Sequence, residues 1–223
     1  MNEITEPPAP SPAPGQSTPY TATGPTPPSK GKRVLFVVGG LLATVAAVVS
    51  GRLAVSTLFD TGPDRPADAG QYKLVPPASF QGLTLQDSGP RVDAIKQGQG
   101  TPRPGTAPVS VVYADQAGTA QLVISGSAGT FADKDPGAAI TTGLTSMGVK
   151  PTDITQHEAG KPAGGAMRCG PLDVQGSTLT LCMWADHSSL VTVTVPVENA
   201  PVTIDALAER ARALREVMEV PAS

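Results

Sequence analysis

The stretch Cys169–Trp184, CGPLDVQGSTLTLCMW, contains both cysteines of the 223-residue chain and determines how its strands are expected to pair. A two-residue turn at Gln175-Gly176 places Cys169 directly opposite Cys182 in a hairpin. The alternation of pairs then makes theirs a non-hydrogen-bonded pair, in which Cα atoms approach to about 4.5 Å. This separation is near the lower end of the range for disulfides. The register therefore predicts a disulfide that closes the hairpin.

Other roles for the two cysteines fit the sequence less well. The chain has no Cys-x-x-Cys motif for redox chemistry. A zinc site would need both cysteines and both histidines, His157 and His187, whose spacing is not that of a zinc finger. We therefore predict a disulfide and no metal site. The glycine-rich KPAGGAM lacks the Lys-Ser/Thr of a phosphate-binding loop, and no cofactor is expected.

The alternation of the strand after the turn divides its side chains between two faces. Leu179, Leu181 and Met183 point to one face, and Cys182 and Trp184 point to the other. We expect the first face to pack against helices. Trp184 is then a candidate partner surface on the opposite face, because tryptophan is enriched at binding hot spots. The alternative is that residues 76–104 or a loop cover this face and Trp184 belongs to the core.

The remaining elements predict an α+β domain over residues 71–223. The β-branched runs Pro108–Asp115 and Thr119–Gly126 form a further predicted hairpin, and the strands STLTLCMWA and SSLVTVTV form another across the link DHS. Asp135 followed by a proline predicts a helix start, and Gly148 predicts its end. Hairpins joined by short links indicate an antiparallel sheet, with two helices expected on one face.

The second helix is expected in the C-terminal TIDALAERARALREVMEV. The spacings 212–216 and 215–219 predict two exposed Arg–Glu pairs, each worth a few tenths of a kcal/mol. The apolar face of this helix comprises Ile204, Leu207, Ala208, Ala211, Leu214 and Val217.

An uncharged run of 18 residues, Val34–Gly51, lies between Arg33 and Arg52. As a helix it is about 27 Å long, near the thickness of the bilayer's hydrocarbon core, so it predicts a single membrane span. A buried core helix is one alternative. A cleaved signal peptide is another, because Ala54-Val55-Ser56 has the small-residue spacing of a cleavage site. The long proline-rich segment before the run favours an uncleaved anchor.

Charges next to the span predict its orientation. Lys30, Lys32 and Arg33 precede it, while Arg52 is soon followed by Asp60. The positive-inside bias places the N-terminus in the cytoplasm and the C-terminal domain outside the cell membrane, beyond a linker at residues 52–70. Cysteines that form a disulfide fit this oxidising location.

The segment before the span, residues 1–30, has proline at nine of thirty positions and a single aromatic residue, Tyr20. This composition predicts a disordered cytoplasmic tail. Its Ser-Pro and Thr-Pro sites are candidates for phosphorylation. From residue 53 onward the chain has 12 basic and 17 acidic residues, and this net charge of −5 argues against nucleic acid as a partner.

No enzyme signature is present. The nearest stretch to a serine-hydrolase elbow, SGSAG, has serine where the first glycine belongs. A cell-envelope hydrolase using His157 or His187 remains an alternative, and so does a structural subunit of a membrane complex whose span packs through Gly39 and Gly40. We expect a non-enzymatic protein, anchored in the lipid bilayer by Val34–Gly51, that binds a cell-envelope protein or ligand.

The tail, the span and the CMWAD strand with its upstream MRCG resemble a group of uncharacterised single-pass membrane proteins of high-GC actinobacteria. The order of elements is similar to that of the Mog1/PsbP-like α+β domains. This resemblance implies a small exported domain that binds and does not catalyse.

Overall fold

An antiparallel sheet of eight strands forms the centre of the computed structural model, which describes residues 66–174 and 176–223. The spatial order is β2-β3-β4-β5-β9-β8-β7-β6, and β1 and β10 form a separate two-stranded ribbon. The strands are β1 Tyr72–Leu74, β2 Ser79–Phe80, β3 Leu83–Gln86, β4 Ala107–Ala114, β5 Ala120–Ala128, β6 Thr155–His157, β7 Ala166–Val174, β8 Ser177–Ala185, β9 Ser189–Thr194 and β10 Glu219–Pro221.

The predicted tail at 1–30, the predicted span at 34–51 and residues 52–65 of the predicted linker lie outside the described residues. Within the described ranges, no helix has the length and apolarity needed to cross a membrane.

Within the described residues three α-helices flank the sheet, α1 at Pro90–Gln99, α2 at Pro136–Met147 and α3 at Ile204–Met218, and a short 3-10 helix spans Pro151–Asp153. The predicted boundaries of α2 are confirmed. The Asp135 carboxylate accepts a hydrogen bond from the Ala138 amide at 3.0 Å, and Gly148 ends the helix with a φ of 107°. A side chain at this φ would be strained, which explains the glycine.

The C-terminal helix α3 is also confirmed, with one correction to its buried face. Its N-cap is Thr203, whose hydroxyl accepts from the Ala206 amide at 3.2 Å. Leu207 and Leu214 are fully buried as expected, but Val217 is 48% exposed and the next residue, Met218, is buried. Met218 follows Leu214 at the four-residue spacing of one helix face. The apolar face therefore ends at Met218, one residue later than predicted, and β10 begins at the next residue.

The predicted hairpin register at the cysteines is correct. Val174 pairs with Ser177 and Cys169 pairs with Cys182, as a two-residue turn requires. The two cysteines form a disulfide with a Cα–Cα distance of 4.0 Å, and both are fully buried.

The prediction that the helices share one face of the sheet is wrong. Leu181 and Met183 pack with Leu144 of α2, whereas Cys182 and Trp184 belong to a separate core cluster with Leu207 of α3. Since successive residues of a strand point to opposite faces, α2 and α3 lie on opposite sides. Both faces of β8 are apolar, so each must be covered.

The third helix, α1, was not predicted. Residues 76–104 contain β2, β3 and α1, and the buried Val92 and Ile95 of α1 pack with Val112 and Val123 of the β4–β5 hairpin. Strand pairing aligns Val123 with Thr194 and Thr194 with Leu181, which places α1 on the same face as α2.

The buried disulfide gives a prediction for stability. Replacing both Cys169 and Cys182 with alanine should lower the free energy of unfolding by about 3 kcal/mol, because the loop of about 14 residues is no longer closed in the unfolded chain. Urea unfolding of the two proteins at equal pH measures this difference. Equal unfolding midpoints with equal denaturant slopes would contradict the prediction.

Candidate functional site: a buried charged cluster at the β8–β9 turn

Trp184 is fully buried, so the hypothesis of an exposed tryptophan surface is wrong. Its indole Nε1 donates a hydrogen bond to Glu219 Oε1 at 2.7 Å. A buried tryptophan ordinarily places its N–H against an acceptor, and here the acceptor is the first residue of β10. The alternative stated from the sequence, a core tryptophan, is therefore correct.

The most unusual buried side chain is that of Arg215, which is fully inaccessible to solvent. Its Nε donates to Glu219 Oε2 at 2.9 Å, and its Nη2 donates to Asp186 Oδ2 at 2.8 Å. The prediction of an exposed Arg215–Glu219 pair is therefore wrong, since both side chains are 0% exposed. We call Arg215, Glu219, Asp186, Ser189 and Trp184 the Arg215 cluster.

The glycine-rich loop KPAGGAM forms one wall of this cluster. Arg215 Nη1 donates to the backbone carbonyls of Ala159 and Gly164, each at 3.2 Å. At Gly165, with a φ of 80°, an added Cβ would lie 2.6 Å from the Ala185 carbonyl oxygen. The glycine therefore permits the loop to pass close to β8 and around the guanidinium.

Asp186 connects the guanidinium to the β8–β9 turn. While Oδ2 pairs with Arg215, its other oxygen accepts hydrogen bonds from the backbone amides of Ser188 and Ser189, each at 2.7 Å. Short turns often use an aspartate in this way. The same carboxylate thus shapes the turn and holds the buried cation.

Glu219 accepts from three donors, the Trp184 indole, the Arg215 Nε and the Ser189 hydroxyl. Burial is the largest influence on this group, and with the nearby Asp186 carboxylate it raises the pKa of Glu219 to about 7. Arg215 and the Ser189 and Trp184 hydrogen bonds act in the opposite direction. With both carboxylates ionised the cluster has one negative charge in excess, which explains why a proton on Glu219 is favoured.

The Arg215 cluster was not predicted from the sequence. Its members come from β8, the β8–β9 turn, the start of β9, α3 and β10, and all except Trp184 are polar or charged types that usually lie at the surface. The available signal was Glu219 itself, a charged residue directly after the amphipathic helix and between the apolar Met218 and Val220. The Arg215 and Glu219 side chains are 0% exposed and that of Asp186 is 8% exposed, so the cluster's contacts are within the fold and join its elements.

His187 lies next to the cluster, in the same turn. Its Nδ1 is 2.7 Å from the Asp68 Oδ1, and its Nε2 is 2.9 Å from the backbone carbonyl oxygen of Asp133. The hydrogen bond from His187 lowers the pKa of the Asp68 carboxyl. Both ring nitrogens thus face acceptors and neither faces a hydroxyl.

His157, on the edge strand β6, has a different environment. Its Nε2 is 2.9 Å from the Thr155 hydroxyl, and its Nδ1 is 4.0 Å from Asp205 Oδ1, on a carboxylate that is 90% exposed. The Thr155 hydroxyl also donates to the Cys169 carbonyl at 3.3 Å. The Thr155 hydroxyl, which has one proton, is within reach of both the ring and the Cys169 carbonyl, and the Asp205 carboxylate lies beyond hydrogen-bond distance of the ring.

Across residues 66–174 and 176–223, no group of three or more His, Cys, Asp or Glu side chains is arranged to hold a metal ion. Comparisons of the chain with protein-family models, curated proteins and solved structures find no match.

The buried Glu219 predicts a pH-dependent stability. Its pKa of about 7 in the folded protein exceeds its ordinary value of 4.5, so the folded state retains a proton that the unfolded chain releases between these values. The free energy of unfolding should therefore fall by about 3 kcal/mol from this group as the pH rises through that window, with no further loss above it. Urea unfolding at several pH values should show that Glu219→Gln removes this fall.

The matched control is Glu216→Gln, on the same helix, whose half-exposed carboxylate lies 3.7 Å from Lys161 Nζ. This variant should retain the pH dependence of the wild type. If Glu219→Gln and the wild type lose the same stability across the window, the buried proton is not on Glu219.

Proposed function

We propose that the chain is a single-pass membrane-anchored protein whose extracytoplasmic domain is a non-enzymatic binding or accessory module. The observation that carries this proposal is the uncharged run Val34–Gly51 between two arginines. At 1.5 Å per residue its length matches a bilayer's hydrocarbon core.

The proposed orientation places the N-terminus in the cytoplasm. It is supported by the basic residues that precede the run, Lys30, Lys32 and Arg33. The Cys169–Cys182 disulfide supports the same orientation, because disulfides form and persist mainly in oxidising compartments. These two observations are independent, since one concerns charge and the other concerns the redox environment.

The contacts of the two histidines support a non-enzymatic domain. A general base must be within hydrogen-bond distance of the proton that it removes. The ring of His187 faces a carboxylate and a backbone carbonyl, and the ring of His157 contacts the Thr155 hydroxyl while the Asp205 carboxylate is 4.0 Å away, beyond hydrogen-bond distance. Both rings are thus used in contacts within the fold.

The hydrolase alternative draws on one observation, the short His157–Thr155 contact. It requires Asp205 to approach the ring and Thr155 to become a nucleophile. A purified protein that hydrolyses a chromogenic ester, and loses this activity in Thr155→Val and His157→Gln, would favour this alternative over a binding module. We expect hydrolysis at the background rate in all three proteins.

The topology test uses reporter fusions to the full-length chain. Alkaline phosphatase, which is active only after export, should be active when fused after Ser223 and inactive when fused before Met1. A fluorescent protein that matures only in the cytoplasm should give the reverse pattern. Deleting residues 34–51 should move the protein to the soluble fraction and abolish phosphatase activity at the C-terminus.

The same fusions separate the alternatives. An inactive C-terminal phosphatase would contradict the proposed orientation. An N-terminal epitope tag that is lost from the mature protein, with the C-terminal phosphatase active, would show that the apolar run is a cleaved signal peptide.

A further inference from the structure

The segment that enters the domain, Pro66–Gly70, is held on the β8–β9 turn. The Gly70 amide donates to the His187 carbonyl at 3.0 Å, and the Ser188 hydroxyl donates to the Asp68 carbonyl at 3.2 Å. Gly70 has a φ of 76°, and an added Cβ would lie 2.9 Å from the Thr130 hydroxyl. We call residues 66–70 the entry strap.

The side chain of His187 joins this strap to the body of the domain. On one side its Nδ1 reaches the Asp68 carboxylate at 2.7 Å, and on the other its Nε2 reaches the Asp133 carbonyl at 2.9 Å. A carboxylate and a carbonyl oxygen only accept hydrogen bonds, so both ring nitrogens must carry a proton for both bonds to form. A neutral ring carries one proton and can satisfy only one of these acceptors.

Two carboxylates lie close to the ring, and one of them links the turn to the Arg215 cluster. Asp68 approaches from the strap, and Asp186 is adjacent in the turn, with its charge paired to Arg215 of α3. Burial raises the pKa of the Asp133 carboxyl, and a hydrogen bond with the Asp135 backbone acts in the opposite direction. The titratable and charged groups at this contact and in the elements packed around it are Asp68, Asp133, Asp135, Asp186, His187, Arg215 and Glu219.

We propose that His187 is a pH-responsive clasp, which holds the entry strap on the domain while the ring carries two protons and releases it when one is lost. Histidine is the side chain whose charge ordinarily changes between about pH 5 and 8. Loss of the proton from the ring removes one of its two hydrogen bonds and the charge pair with Asp68. The strands of the sheet take no part in these contacts. The clasp rests on contacts of the described residues alone, whereas its position between a membrane anchor and the domain rests on the proposed function.

The test is hydrogen–deuterium exchange of the full-length protein in detergent micelles, with rates corrected for the intrinsic pH dependence. Of the amides at the strap, that of Gly70 donates to the His187 carbonyl and reports whether the strap is held, while those of Ala69 and Gln71 donate to the Pro66 and Asp68 carbonyls and report whether its turns stay formed. Between about pH 5.5 and pH 8 their protection should fall about tenfold, the change expected for the loss of one charge-assisted hydrogen bond. Protection across β5 should stay constant.

The chain has two histidines, which provides a matched control. In His157→Gln the fall in strap protection should be the same as in the wild type. In His187→Gln, strap protection should be low at both pH values and should change less than twofold. Asp68→Asn alters a half-exposed carboxylate without disturbing the core, so it should also remove most of the fall even if His187→Gln does not fold.

Two results would overturn the clasp. One is strap protection that does not vary with pH in the wild type, or that varies equally in Asp68→Asn. The other is a fall that persists in His157→Gln but disappears in Glu219→Gln, which would assign the responsible proton to the Arg215 cluster. None of these readouts depends on whether the N-terminal run spans a membrane, so failure of the clasp and failure of the proposed anchor are distinguishable.

Discussion

The burial of Arg215 is the constraint on which the arrangement of this domain depends. A guanidinium removed from water must have its charge and its N–H groups satisfied, because an unpaired buried charge costs several kcal/mol. Here the partners are Glu219, Asp186 and two backbone carbonyls, and they belong to a strand, a turn and a glycine-rich loop that are far apart in sequence. The turn and the loop can satisfy the arginine only when α3 is packed on the sheet.

The turn Asp186–Ser189 connects this buried centre to the point where the chain enters the domain. Asp186 and Ser189 contact the Arg215 cluster, whereas His187 and Ser188 contact the entry strap. The first and last residues of this short turn thus contact the buried cluster, and the two central residues contact the entry strap. If the N-terminal run anchors the chain, the entry strap lies between the anchor and the domain. A change in the charge of His187 would then alter the contacts of this strap.

Local features of the fold could be predicted because they follow from short-range geometry. The register of the cysteine hairpin follows from a two-residue turn, and the limits of α2 follow from its Asp135 cap and Gly148. Such features depend on residues close in sequence. They could be read without knowing what packs against them.

The side of the sheet taken by each helix depends instead on long-range packing. Alternation showed that β8 has two apolar faces but could not say which helix covers each one. The i,i+4 spacing of Arg215 and Glu219 is the same for a solvated pair and a buried one, and only the residues across the sheet decide between them. α1 was missed because its sequence, PRVDAIKQGQ, has only two buried residues and a weak apolar periodicity.

We propose that the domain closed by the disulfide is extracytoplasmic. The most direct test of this proposal is the intact mass of the natively expressed protein. Free thiols are alkylated without reduction, and a second sample is reduced first. We predict that neither Cys169 nor Cys182 is alkylated until it is reduced, even after denaturation, because both are in the disulfide. Alkylation of both cysteines in the unreduced, denatured protein would contradict the claim, since it would indicate a reducing compartment and a reversed orientation.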